Sequence, residues 1–223
     1  GGVAVNNLAK WTPADGFSAV GAFDASASVN DTILDLEVFD DGSGPALYIA
    51  GEFEVVSGLE TNGVVRWDGT TFEALAGPNG IGVTLAGNRG RVKDLLAYDA
   101  GDGIKLFAVG AFDLAGGEVA YGAATWDGQR WSPLIYQQPL MRDVGVNGNP
   151  SPNQCGGRFF SSPEIETLGG FNENGVPTLF ASGFFTQVGG LVSIYLARYR
   201  DMPGIFSDGF ETGDTSAWTL SVP

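Results

Sequence analysis

Histidine is absent from the 223 residues, and Cys155 is the only cysteine. These two gaps remove Ser-His-Asp and Cys-His nucleophile systems, histidine-built zinc and copper sites, and any disulfide framework within the chain. Carboxylate chemistry and oxygen-ligated calcium are what remain. Positive charge is scarce too: 11 Lys and Arg stand against 26 Asp and Glu, a formal net charge of -15. A polyanion of that size is repelled by phosphate backbones and anionic headgroups, so no nucleic acid partner is expected. No apolar run reaches the roughly 18 residues of a spanning helix, so no membrane insertion is expected either. Glycines, prolines and β-branched residues interrupt every candidate 3.6-residue period, which leaves an all-β chain. Cys155 sits in Asn153-Gln154-Cys155-Gly156-Gly157 with no basic neighbour before Arg158, and reads as an inert thiol.

What the chain has in excess is glycine, 35 residues, on a background that is 43% hydrophobic and only 17% charged. That composition folds rather than staying disordered, and it implies many tight turns. The glycines recur in register. Leu47-Tyr48-Ile49-Ala50-Gly51-Glu52-Phe53, Leu106-Phe107-Ala108-Val109-Gly110-Ala111-Phe112 and Leu179-Phe180-Ala181-Ser182-Gly183-Phe184-Phe185 share one template. Trp67 comes nine residues after Gly58, Trp126 nine after Gly117, Tyr199 nine after Gly190 and Trp11 nine after Gly2, so a partial fourth copy precedes the three. Upstream of each template lies a matched segment, Ile33 to Phe39, Val92 to Tyr98 and Ile165 to Phe171, ending in a polar glycine turn. Downstream come Trp67-Asp68-Gly69-Thr70-Thr71-Phe72 and Trp126-Asp127-Gly128-Gln129-Arg130-Trp131, where Asp-Gly predicts type I′ hairpin turns.

Each repeat therefore predicts four strands. The step is 59 residues from Gly51 to Gly110 and 73 from Gly110 to Gly183, the excess falling in a proline-bearing connection between Leu134 and Ile165. That connection and the glycine-rich Gly77 to Gly90 are the expected places for a ligand. Four-stranded repeats of this length suit the blades of a β-propeller. The pattern resembles the Kelch-like repeats of bacterial secreted and surface proteins, carried by the Leu-aromatic-x-x-Gly-x-Phe template, Arg66-Trp67-Asp68-Gly69 and Thr125-Trp126-Asp127-Gly128. It departs from a Kelch pattern in having one glycine in the second strand and Tyr199 in place of the last Trp. The resemblance implies a propeller-like array of four-stranded antiparallel blades over residues 1 to 206: a half-blade at 1 to 25 and blades at about 31 to 76, 92 to 134 and 165 to 206. It does not imply an activity.

Three and a half blades leave a half-blade without a partner, which fits three accounts: a fragment of a longer propeller, a closed four-bladed ring with one thin blade, or completion by a neighbouring copy, since an exposed sheet edge is a template for a strand from another chain. Self-association, possible filaments included, is thus the expected mechanism, with Gly2, Val3, Val5 and Leu8 at the half-blade and Ala217, Trp218 and Leu220 of the 207 to 223 tail as its candidate residues. The segment from Phe206 to Trp218 is similar to short acidic, aromatic ends of exported bacterial proteins, which implies an extracellular or cell-surface location. Calcium is a weak alternative at Asp40, Asp41, Asp99 and Asp102, since Asp and Gly serve turns for backbone reasons alone. No cofactor is expected. Asp143 and Glu164, which stand off the repeat, are the only acids with a claim to hydrolytic chemistry, and no enzyme is expected. Trp67, Trp126, Tyr199, Phe72 and Trp131 read as blade core rather than sugar platforms. Asn30-Asp31-Thr32 fits a glycosylation acceptor. The sequence thus predicts an extracellular structural or adhesive repeat protein; the runner-up is a carbohydrate-binding module.

Overall fold

The computed structural model describes residues 4, 7–21, 23–24, 32–85, 88–134 and 164–184, together with the short strands Gln187–Val188, Leu191–Val192 and Leu196–Tyr199. The described residues form strands and turns with no helix. They build several small antiparallel sheets, three of them four-stranded, and two of these three carry the repeat. The first runs Thr32–Asp40, Pro45–Glu52, Val64–Trp67, Phe72–Ala74, and the second Arg91–Asp99, Ile104–Ala111, Ala123–Trp126, Trp131–Pro133. A third sheet shows Glu164–Glu173, Val176–Phe184 and Leu196–Tyr199 in the same order. The remaining copy is a hairpin, Ala9–Thr12 with Gly16–Ala19. Smaller ribbons lie between the second and third strands of each repeat: Val55–Val56 with Leu59–Glu60, Leu114–Ala115 with Glu118–Val119, and Gln187–Val188 with Leu191–Val192.

The glycine shared by the three templates is explained by its neighbour strand. A Cβ on Gly51 would lie 2.0 Å from the Thr32 carbonyl oxygen, on Gly110 2.1 Å from that of Arg91, and on Gly183 2.2 Å from that of Glu164. Each close approach coincides with a bulge in the first strand, where register slips between Ile33 and Asp35, Val92 and Asp94, and Ile165 and Thr167. A bulge re-aims the side chains that follow it, and only glycine lets the two backbones approach so closely.

The Asp-Gly turns differ from expectation. Only the glycines have positive φ, +101° at Gly69 and +98° at Gly128, so these are not type I′ turns. Four residues link the paired Trp67 and Phe72, and likewise Trp126 and Trp131. The aspartate side chain closes the loop instead: Asp68 accepts the N–H groups of Thr70 and Thr71 (both 2.7 Å), and Asp127 those of Gln129 and Arg130 (both 2.9 Å). These bonds hold both carboxyls below the ordinary range; at Asp127 they outweigh the opposing effect of burial.

Sheets stack face to face, and alternation along each strand assigns its residues to one neighbour or the other. Phe39, Tyr48, Ala50 and Val64 of the first sheet pack with Leu95, Leu106, Ala108, Ala124 and Trp126 of the second. The second sheet meets the third through Val109, Ala123, Ile165 and Leu168, and through Phe107, Leu96, Tyr98 and Leu179. The hairpin contributes Leu8 and Val20 to a cluster with Ile49, Phe53, Val56 and Val65 of the first sheet. Trp126 and Trp131 are buried, and Trp67 and Phe72 are partly buried against that last cluster, which makes them the packing residues the repeat pattern predicts.

Candidate functional site

The bulge gives each first strand a means of gripping the next repeat. Leu95 N–H donates to the Asp35 carboxylate (2.8 Å), and one repeat on, Leu168 N–H donates to Asp94 (2.5 Å). Glu37 accepts Ala97 N–H (2.8 Å), and the Thr167 hydroxyl donates to Asp94 (2.7 Å). Burial raises the Asp94 carboxyl above the usual range; its bonds from Leu168 and Thr167 oppose this, and the neighbouring Asp35 carboxylate reinforces it. In the third repeat the same position is Thr167, so the aspartate grip stops there.

Packing across these joints is also repetitive. Ala97 of the second repeat rests on the cluster containing Phe39, and Gly170 of the third lies so close under Tyr98 that a Cβ would meet the ring at 2.4 Å. The outward faces are the exception. Leu34, Leu36 and Val38 on the first strand of the first repeat are 42, 45 and 63% exposed, whereas Leu95, the counterpart of Leu36, is 4% exposed. On the hairpin, Trp11 and Phe17 are 59 and 61% exposed, against 6 and 4% for their counterparts Trp126 and Trp131. Ala9–Thr12 pairs with no strand but Gly16–Ala19 among the described residues, although a third strand elsewhere pairs on both sides. Phe171, the counterpart of Tyr98, is 62% exposed.

Two of the clefts among the described residues lie away from these faces. The first, about 710 Å³, is polar and centres on Arg66. The guanidinium is buried between Asp41 (3.0 Å) and Glu73 (2.7 Å) and donates to the Ser43 hydroxyl (2.7 Å), while the Tyr48 hydroxyl donates to Asp41 (2.9 Å). Burial pushes Asp41 up, but the Ser43 and Tyr48 bonds and the Arg66 charge outweigh it and hold the carboxyl low. Burial and the Asp41 carboxylate push the Tyr48 phenol up. In the second repeat the counterparts are Ala100, Asp102, Phe107, Thr125 and Ser132, so the second repeat lacks this network, while the third keeps an arginine, Arg198, at the Arg66 place.

The second cleft, about 450 Å³, lies where the first glycine-rich connection meets the second repeat, and it is lined by Pro78, Glu118, Tyr121, Arg130, Ser132 and Pro133 among others. Next to its lining residues Pro78 and Glu118 lies a backbone-to-backbone contact: a Cβ on Gly77 would lie 2.4 Å from the Gly116 oxygen, and one on Gly117 2.4 Å from the Asn79 carbonyl carbon. Asn79 Nδ2 donates to Glu118 (2.6 Å). Tyr121 has φ +45° and is 43% exposed. The same backbone place in the first repeat holds Asn62, φ +51°, whose amide donates to the Ile81 carbonyl (3.2 Å) and to Glu60 (3.1 Å).

Of the residues singled out from sequence, Asp40 and Asp99 cap their own turns, accepting Gly42 and Gly44 N–H, and Gly101 and Gly103 N–H, respectively. Asp41 belongs to the Arg66 network and Asp102 pairs with Lys105. No group of three or more metal-ligating His, Cys, Asp or Glu side chains occurs among the described residues. Glu164 is buried with Lys93 Nζ at 2.9 Å, an ion pair that also takes in Glu166 and joins the second repeat to the third. Leu8 is buried against the first sheet. Gly2, Val3, Val5, Ala217, Trp218, Leu220, Asp143, Cys155 and the Asn30-Asp31 pair lie outside the described residues. Asp35, Asp94 and Tyr121 were not singled out from sequence, although the first two stand one repeat apart and the third departs from Asn62; Arg66 entered only as part of the repeat motif. Comparison with protein-family models, with curated proteins and with solved structures finds no match to this chain.

Proposed function

We propose that the protein is an extracellular structural or adhesive repeat protein, a propeller-like array that works by associating with further copies of itself. The observation that carries this reading is the contrast between Leu95, 4% exposed inside a joint, and its counterpart Leu36, 45% exposed on an outward face. Leu36 and Val38 are repeat equivalents of Leu95 and Ala97, which meet a preceding repeat, and with Leu34 they leave an apolar surface open to docking. The adjacent edge of Ala9–Thr12 supplies backbone groups for an added strand. Phe171 leaves an uncovered aromatic at the far side of the stack. Contacts between unlike faces are heterologous, and they produce filaments when the rotation does not close. The net charge of -15 keeps encounters dependent on ionic strength.

Mass in solution and electron microscopy of the whole chain test this. Ordered assemblies are expected, favoured by salt that screens the negative charge, and replacing Leu36 and Val38 together by lysine is expected to dissolve them without loss of fold. A monodisperse 23.2 kDa particle at every salt concentration overturns the proposal. Removing residues 207 to 223 asks whether the tail is the donated strand, in which case the assemblies disappear with it.

A further inference from the structure

We infer that the cleft beside Tyr121 is a binding site for a neutral saccharide chain, independent of the self-association surface. The two repeats place the same left-handed backbone position at Asn62 and Tyr121, and both N–H groups donate to the counterpart carbonyl, that of Glu54 (3.2 Å) and that of Asp113 (3.2 Å). Asparagine suits positive φ; tyrosine does not, and here it forgoes the amide bonds that Asn62 makes with Ile81 and Glu60. Tyr121 thus makes none of the side-chain bonds that anchor Asn62, and the residue stays 43% exposed on the rim of a cleft.

The groups around that ring match the two sides of a pyranose. A sugar presents a C–H face that stacks on an aromatic ring and a rim of hydroxyls that need donors and acceptors. Tyr121 supplies the face, with Pro78 and Pro133 as apolar flanks. Glu118 supplies a carboxylate acceptor, held in place by Asn79, and Ser132 a hydroxyl. Arg130 supplies a guanidinium that is 74% exposed and leans on Asp127 at 3.4 Å. The close approach of Gly77 to Gly116 fixes the two walls relative to each other, so the cleft is formed before a ligand arrives. A net charge of -15 works against polyanionic glycans, which leaves neutral ones.

Titration calorimetry of the whole chain against cellohexaose, laminarihexaose, mannohexaose and N-acetylchitohexaose tests the site, with alginate and a proline-rich decapeptide alongside. Saturable binding of at least one neutral oligosaccharide is expected. Tyr121→Asn, which installs the residue of the first repeat, is expected to weaken it by about ten-fold or more while the melting temperature holds or rises. Arg130→Ala is expected to weaken it less. Failure of all four oligosaccharides, binding of alginate or the peptide alone, or unchanged affinity in Tyr121→Asn overturns the inference.

Discussion

The first and second sheets have the same strands in the same order, yet one is packed on both faces along its whole first strand and the other is not. In Arg91–Asp99 the leucine after the bulge is buried and its N–H is held by the preceding repeat; in Thr32–Asp40 the corresponding leucine faces outward. The difference lies in context rather than in local sequence, because Leu36 and Leu95 follow the same bulge and the same aspartate. A repeat of this kind is only as stable as the neighbours it has.

The sharpest way to break the comparison is to truncate both leucines. Leu95→Ala is expected to cost about 2 to 5 kcal/mol in denaturant unfolding, and Leu36→Ala under about 1 kcal/mol, since little area is lost from an exposed site. Equal costs would show that the outward face is covered in solution. Next in size is Arg66→Ala, expected to cost about 3 kcal/mol because it strands Asp41 beside a buried phenol, whereas Thr125→Ala at the matching place in the second sheet is expected to cost under about 1 kcal/mol. Asp35→Ala leaves the Leu95 N–H without its acceptor and is expected to cost about 1 to 3 kcal/mol, read from the same unfolding curves.

Asp94 sharpens the comparison through pH. Its native carboxyl titrates above the ordinary value of 3.8, so the folded state binds more protons than the unfolded state in the window just above that value. Stability contributed by this group is present below the window and declines as pH rises through it. Asp94→Asn keeps an acceptor for Leu168 N–H, removes the repulsion from Asp35, and is expected to flatten that slope and leave the protein at least as stable at neutral pH. A steeper loss between pH 4 and 7 in the variant would contradict this origin of the shift. Asp41 and Asp127 act in the opposite sense: held low, they stabilise above the ordinary carboxylate value and lose that contribution as pH falls through their native values. The smallest effect is that of Tyr121→Asn, expected to raise stability by up to about 1 kcal/mol by relieving the left-handed tyrosine.

Strand identity was legible because it repeats: the Leu-aromatic-x-x-Gly-x-Phe template marks second strands and the aspartate-bounded segments mark first ones. The role of Gly51, Gly110 and Gly183 was not legible, since it depends on a bulge in a different strand. The Asp-Gly pairs were read as paired positive-φ turns, but a four-residue loop lets the aspartate side chain serve as the acceptor, so one positive φ suffices. The grip of Asp35 on Leu95 joins residues 60 apart across two sheets, and nothing local announces it. Tyr121 was visible in principle as a departure from Asn62, whereas Arg66 follows a pattern of basic residues that Lys10 and Arg198 share and Thr125 breaks. An aromatic or an arginine, however, reads as ordinary until its backbone angle or its burial is known.

The bulge aspartate also bears on how such a chain lengthens. One 59-residue unit carries both halves of a joint: a carboxylate for the unit after it and a leucine amide for the unit before it. Copying the unit in tandem therefore copies a finished interface, and an inserted duplicate meets its neighbours on either side with no new substitution. Thr167 in place of the aspartate withdraws one half of that offer, making the third repeat a poor template for further duplication and the first two the natural ones.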